Sequence, residues 1–269
     1  MTDPTAPTPA PVLVRRDGDV ATVVLNRPDQ RNAISLAMWR RLAEVFHELD
    51  ADLALRVVLV TGAGDEAFSA GADIKEFEET RGTPEKARAY GSQIEAACDA
   101  LAKLGKPTIA VIRGYCLGGG FEVALYADLR IAAGNAKFAI PGARMGLAVA
   151  HHYAARVVEL AGPSDAAYLL YTGRTIDAAE AFRMRLVNSV HPAADLDAYV
   201  AELVKDIAAL SPVSHRTHKG VLLDLARHGT VGAVPSERKV LSDKATDSDD
   251  FREGVRAFME KRRPRFMGH

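Results

Sequence analysis

The sequence lacks most of what would mark a secreted, membrane or nucleic-acid-binding protein. It holds two cysteines, Cys98 and Cys116. That is too few for a disulfide scaffold and fits a reducing compartment. Both read as small core residues. No run of ~18 apolar residues occurs, which excludes a membrane-spanning helix. A basic-then-apolar leader is missing at the N-terminus, so a soluble cytoplasmic protein is expected. Neither sign of charge is in excess: 34 Lys and Arg stand against 35 Asp and Glu. Such a balance leaves no electrostatic footprint for nucleic acid. No His/Cys spacing suits a metal, so none is expected. The dinucleotide pattern G-x-G-x-x-G and the phosphate loop G-x-x-x-x-G-K-[ST] are both absent. Ala67 to Gly71 falls one glycine short of a nucleophile elbow, which argues against Ser69 as a nucleophile.

What is present is an ordinary globular composition. Hydrophobic residues make up 48% and charged residues 26% of 269. This predicts one large domain, or one domain with an appendage. Residues 1–11 carry four prolines and read as a disordered tail. Strand and helix signals then alternate. Val20–Leu25, Arg56–Thr61, Pro107–Ile112 and Leu129–Ala132 are short apolar runs expected to be buried strands. Ser35 can cap a helix that buries Met38, Trp39, Leu42, Val45, Phe46 and Leu49. Thr83 and Pro84 can start a second, turning Tyr90, Ile94, Ala97, Leu101 and Leu104 inward. Alternation of this kind predicts an α/β fold with parallel strands. From about Tyr153 the pattern reads as helical, with Asp177 and Glu180 as a capping box and helices over 195–210 and 212–227. Ser248 starts a last helix that Lys261, Arg262 and Arg263 close. The expected division is an α/β core over 12–200 and a helical region over 201–269.

Two glycine-containing loops carry the chemistry. Phe68-Ser69-Ala70-Gly71-Ala72-Asp73-Ile74-Lys75-Glu76 follows the second strand. Gly114-Tyr115-Cys116-Leu117-Gly118-Gly119-Gly120-Phe121-Glu122 follows the third and opens a helix. Consecutive glycines at a helix N-terminus bring bare N–H groups close to a ligand, and the helix dipole favours negative charge there. Residue chemistry alone therefore reaches an α/β protein with an anion-stabilising loop, either for a phosphate or for an oxyanion.

In combination these motifs resemble the crotonase (enoyl-CoA hydratase/isomerase) superfamily. Leu25-Asn26-Arg27-Pro28 with Arg31-Asn32-Ala33 is similar to its opening motif. Ala67–Glu76 and Gly114–Glu122 are similar to its two oxyanion loops. Thr172-Gly173-Arg174, Ala178–Ala181 and Leu186-Val187-Asn188 resemble its later motif, and Glu253–Arg262 its ending. The match runs from about Val12 to Phe266. It implies a crotonase-type spiral of ββα units with a C-terminal helical region that trimerises, often as a dimer of trimers. The ligand it implies is an acyl-CoA thioester, as substrate, with no permanently bound cofactor. By the same resemblance, the N–H groups of Ala72 and Gly119 hold the thioester oxygen. Coenzyme A would lie near Gln30, Arg31, Ala33, Ala70, Asp73, Ile74 and Gly118. Phe258 and Lys261 would approach it from a neighbouring subunit.

One departure qualifies the activity. Hydratases of this family use two glutamates. The first matches Glu122; the second falls at Gly142, which has no acid. Losing one general acid–base group costs ~10²–10⁴-fold in rate, or roughly 3–5 kcal/mol. His151 or His152 could substitute, histidine being suited to neutral pH. The first expectation is hydration of a 2-enoyl-CoA, or double-bond isomerisation. The alternatives are another crotonase reaction (decarboxylation, thioester hydrolysis, C–C cleavage) or an acyl-CoA binder without catalysis. The acyl pocket is expected between Glu76 and Tyr90 and between Met145 and Tyr153. Arg144 reads as a solvated or ion-paired arginine rather than a carboxylate ligand.

Overall fold

A computed structural model describes residues 10–269; the expected tail over 1–11 falls almost wholly outside that range. The chain opens with a hairpin of β1 (Val12–Asp17) and β2 (Val20–Leu25). Helix α1 (Leu36–Ala51) leads to β3 (Val57–Gly62) and β4 (Ala67–Ser69). Helices α2 (Phe77–Arg81) and α3 (Pro84–Lys103) precede β5 (Thr108–Ile112) and β6 (Tyr115–Leu117). Then come α4 (Gly118–Tyr126), β7 (Leu129–Ala133), β8 (Lys137–Ala139) and α5 (His151–Thr172). Strand β9 (Ile176–Asp177), α6 (Ala178–Arg183) and β10 (Ser189–His191) complete the sheets. The rest is helical: α7 (Leu196–Ala208), α8 (Pro212–His228), α9 (Ser236–Lys239), α10 (Leu241–Thr246) and α11 (Asp249–Met259).

The six-stranded sheet has the order β1-β2-β3-β5-β7-β10, and the four-stranded sheet β4-β6-β8-β9. Pairing is parallel except for β1–β2 and β8–β9. All four strands read from the sequence are present, because each is an apolar run whose side chains are buried on both faces of the sheet. One face packs on α1, α3 and α4, with Trp39, Phe46, Leu101 and Phe121 in the core. The other places Val57, Ile109, Val111 and Ile131 against Leu196, Val200 and Val204 of α7. Both cysteines are buried in the larger cluster, and burial pushes both thiols well up.

Several expectations need correction. The region after Tyr153 is not purely helical: β10 pairs parallel with β7 at the sheet edge, and β9 pairs with β8. These strands have two and three residues, too short for an alternation signal. Helix α5 contains Gly162 at φ 80° followed by Pro163, and is kinked there because proline lacks the N–H that continues the ladder. The last helix ends at Met259, not at Arg263. Arg262 folds back instead to Glu253, whose carboxylate also takes Arg256 and the Arg265 N–H. These bonds hold the Glu253 carboxyl well below the usual range. Among the described residues, no helix is long and apolar enough to cross a membrane.

The helical region is tied to the sheet by polar contacts. Lys219 on α8 donates to Asp128 Oδ2 at 2.8 Å and to the Lys106 carbonyl at 3.2 Å, and Asp128 Oδ2 also accepts from the Thr108 N–H and hydroxyl. Truncating one partner of a buried pair strands the other. Lys219→Ala should lower unfolding stability in urea by ~2–3 kcal/mol, less than for a fully buried pair because Asp128 retains some solvent.

Candidate active site

The opening turn and the first glycine loop are stapled together by backbone bonds. The Ala70 N–H donates to the Arg31 carbonyl at 2.8 Å, the Ile34 N–H to Gly71 at 2.8 Å, and the Asp73 N–H to Ile34 at 2.9 Å. Asn32 is fully buried at φ 55°. Its amide donates to the Ala63 and Ala67 carbonyls, and its Oδ1 accepts the Arg27 N–H. Consequently Gln30, Arg31, Ala33, Ala70, Asp73 and Ile74 form one continuous edge. Asp73 is paired with Arg27 at 2.8 Å, and Arg31 with Glu66 at 2.6 Å. Ile74 is exposed.

This staple uses the Gly71 carbonyl and the Asp73 N–H, which leaves the Ala72 N–H directed to the opposite side. Gly119 is the second residue of α4, where a helix N–H has no partner within its own helix. The two amides lie close together. A Cβ placed on Gly119 would come 3.6 Å from Ala72 N, and one on Gly71 would come 3.6 Å from Gly119 N. Two features fix this approach. Gly118 has φ 48°, the left-handed turn by which β6 enters α4. Gly120 packs so tightly that a Cβ there would meet Ser69 Cβ at 2.4 Å. Ser69 is thus a packing residue, and its Oγ also accepts the Gly71 N–H at 3.1 Å.

Glu122 sits one helical turn beyond Gly119 and is 4% exposed. His152 on α5 brings its Nε2 to 3.0 Å from Glu122 Oε1. The contact is off-line, and neither atom completes a well-directed hydrogen bond within the described structure. Burial raises the Glu122 carboxyl above its usual range, against the pull of His152. Glu122 in turn raises the His152 imidazolium, against burial. Each group therefore holds its proton more tightly than it would alone in water. The register of the pair is set by three bonds between α4 and α5: Tyr126 hydroxyl to His152 carbonyl at 3.1 Å, Tyr153 hydroxyl to Gly118 carbonyl at 2.8 Å, and Arg156 Nε to Leu125 carbonyl at 2.8 Å.

The two histidines thus separate. His151 is the exposed first residue of α5. At Gly142 the turn is closed: its carbonyl accepts the Leu147 N–H, and a Cβ there would come 3.0 Å from the Leu147 carbonyl. Phe258, 83% exposed on α11, and Lys261, just beyond that helix, stand apart from the two loops, in a segment that packs on α10. Arg144 is exposed and folds over Gly173.

Three further residues border the site. Trp39 abuts Gly119, whose Cβ would come 3.0 Å from the indole Cζ2. Trp39 Nε1 faces the Tyr90 hydroxyl, and both are buried without a well-directed hydrogen bond. Burial pushes the Tyr90 phenol up to about 12. The Arg81 guanidinium lies 4.9 Å from the centroids of both the Phe77 and Tyr90 rings, an arrangement worth ~0.5–2 kcal/mol. In the sequence Trp39 and Tyr90 are indistinguishable from plain core residues, since helical spacing does not reveal an unpaired donor.

The family model "Enoyl-CoA hydratase/isomerase" matches residues 15–269. A Mycobacterium bovis protein named "Probable enoyl-CoA hydratase" is 36% identical over 95% of this chain and 97% of its own length. The short-chain-enoyl-CoA hydratase of Clostridium acetobutylicum is 31% identical over 94% and 95%. The crystal structure of an enoyl-CoA hydratase/carnithine racemase from Magnetospirillum magneticum superposes with a TM-score of 0.92 at 39% identity, covering 97% of each chain. The chain belongs to the enoyl-CoA hydratase/isomerase family and is an enzyme of that type, with a crotonase fold.

The contact between Gly120 and Ser69 can be tested directly. Gly120→Ala forces Ser69 aside and should cost ~1–3 kcal/mol of stability by thermal or urea unfolding. Ser69→Gly in the same chain should recover part of that loss.

Proposed function

We propose that the protein adds water across the double bond of a 2-enoyl-CoA, with Glu122 and His152 as its acid–base pair. The observation that carries this reading is the 3.0 Å approach of a buried carboxylate and an imidazole one turn from the paired amides. The Ala72 and Gly119 N–H groups receive the thioester oxygen, on which negative charge grows as a nucleophile adds at the β-carbon. One such donor is worth ~3–4 kcal/mol in the transition state. Glu122 takes a proton from water as its oxygen bonds to the β-carbon. His152 gives its proton to the α-carbon, and the proton held by Glu122 then restores the imidazolium. One water is consumed and the pair returns to its starting state. His152 thus supplies what Gly142 cannot.

Coenzyme A fits the edge formed by Gln30, Arg31, Ala33, Ala70, Asp73, Ile74 and Gly118. Double-bond isomerisation is the second reading. It is favoured by the single carboxylate, since one base can carry a proton between carbons. Self-association is part of the same proposal: Phe251, Val255, Phe258 and Met259 on α11 and Leu222 on α8 are exposed apolar side chains suited to a second copy. A trimer, or a dimer of trimers, would bring Phe258 and Lys261 to a neighbour's coenzyme A. Sedimentation should then give three or six times the chain mass; a monomer at working concentration contradicts this part.

Crotonyl-CoA hydration, followed by loss of enoyl-thioester absorbance, tests the mechanism. Glu122→Gln and His152→Ala should each lower kcat by ~10²–10⁴-fold. His151→Ala should stay within about twofold. Burial raises Glu122 above its ordinary 4.5, and Glu122 raises His152 above 6.5. The one-proton form of the pair lies between those two raised values. The kcat/KM profile should therefore be bell-shaped, its acid limb above pH 4.5 and its alkaline limb above pH 6.5. Equal activity of Glu122→Gln and the parent would overturn the reading.

A further inference from the structure

Arg81, the half-buried last residue of α2, makes no salt bridge among the described residues. Glu78 and Glu79 on the same helix are exposed to solvent, and the other acids nearby have partners of their own. Glu76 accepts the Leu36 N–H, Asp73 pairs with Arg27, and Glu85 pairs with Arg88. Its guanidinium rests instead against the Phe77 and Tyr90 rings, which meet edge to face at 6.1 Å. This packing fixes the fork while leaving its N–H groups available.

Two neutral donors stand beside it. The Trp39 indole N–H faces the Tyr90 phenol, where it tempers the rise that burial causes, but the contact is not a well-directed hydrogen bond, so both buried atoms keep unfilled bonding capacity. Trp39 touches Gly119, and Tyr90 touches Arg81, so these residues lead in a row from the oxyanion amide to the guanidinium. The field of Arg81 reaches inward: it draws both Glu122 and Tyr90 down, against the larger rise that burial causes in each.

We propose that Trp39, Tyr90 and Arg81 form a subsite for a carboxylate at the far end of the acyl chain, so that the preferred substrate is the thioester of a short dicarboxylic acid. A carboxylate supplies acceptors for all three donors and a charge opposite to that of Arg81. A plain alkyl chain offers these donors no acceptor, and buried donors left without one discriminate strongly. The proposal rests on the thioester oxygen occupying the Ala72–Gly119 amides.

The test is binding of stable, saturated thioesters by calorimetry: glutaryl-CoA against valeryl-CoA, then adipoyl-CoA against hexanoyl-CoA. In at least one pair the carboxylate form should bind about 10- to 100-fold tighter, the range of one charged hydrogen-bonding site. Arg81→Met should bring that ratio to within about threefold, whereas Arg81→Lys should keep part of it. Equal binding within both pairs by the parent protein overturns the proposal, whether or not the variants fold. A ratio that survives in folded Arg81→Met overturns it as well. The underlying reading fails separately. Selective binding of glutaryl-CoA with no hydration of any enoyl thioester keeps the subsite and removes the hydratase. Crotonyl-CoA and glutaconyl-CoA hydrated with equal kcat/KM keep the hydratase and remove the subsite.

Discussion

The close contact of Gly120 with Ser69 is the constraint on which the site depends. It brings the start of α4 against the first glycine loop at a distance no other side chain permits. That approach sets the Ala72 and Gly119 amides side by side. Because α4 is rigid from Gly118, it also fixes Glu122 one turn further along the same helix. Fold and chemistry therefore share a single tolerance. The larger core cluster, which includes Phe121, Phe138 and Trp39, holds the helix against the sheet and keeps that tolerance tight.

Burial of Glu122 would be costly without a partner, since an isolated carboxylate in a dry interior protonates rather than ionises. His152 offsets part of this. Because the contact is imperfectly aligned, it has not been optimised as a static ion pair. Two buried groups near 3 Å with unfilled bonding capacity are poised for a third molecule. On the proposed reading, a pair that accepts and returns a proton needs that incompleteness. Trp39 and Tyr90 likewise keep unfilled bonding capacity a short way along.

Much of this was legible in the sequence. The four buried strands, the α1 face through Trp39 and Phe46, and the caps at Ser35 and Thr83 follow from local chemistry, and each stands where expected. The two glycine loops could be read as anion-stabilising before any comparison. What could not be read was long-range. Choosing between His151 and His152 requires the roll of α5 about its axis, and that roll is fixed by Tyr126 of α4 reaching α5 and by Tyr153 and Arg156 of α5 reaching α4. The β1 strand was missed because VLVRRD has an exposed, charged half and depends on β2 for its pairing. Arg262 looked like a helix C-terminus, whereas its carboxylate partner Glu253 lies nine residues back and terminates the helix early.

The account turns on Glu122 and His152 sharing one proton. An NMR titration of the His152 ring in the parent protein and in Glu122→Gln measures this directly. With Glu122 present, the imidazolium should titrate above 6.5. With glutamine there, the largest raising influence is gone and burial acts against only the weaker pull of Glu95 and Asp99, so the value should fall. An unchanged titration in the two proteins would contradict the pairing, and with it the role assigned to His152.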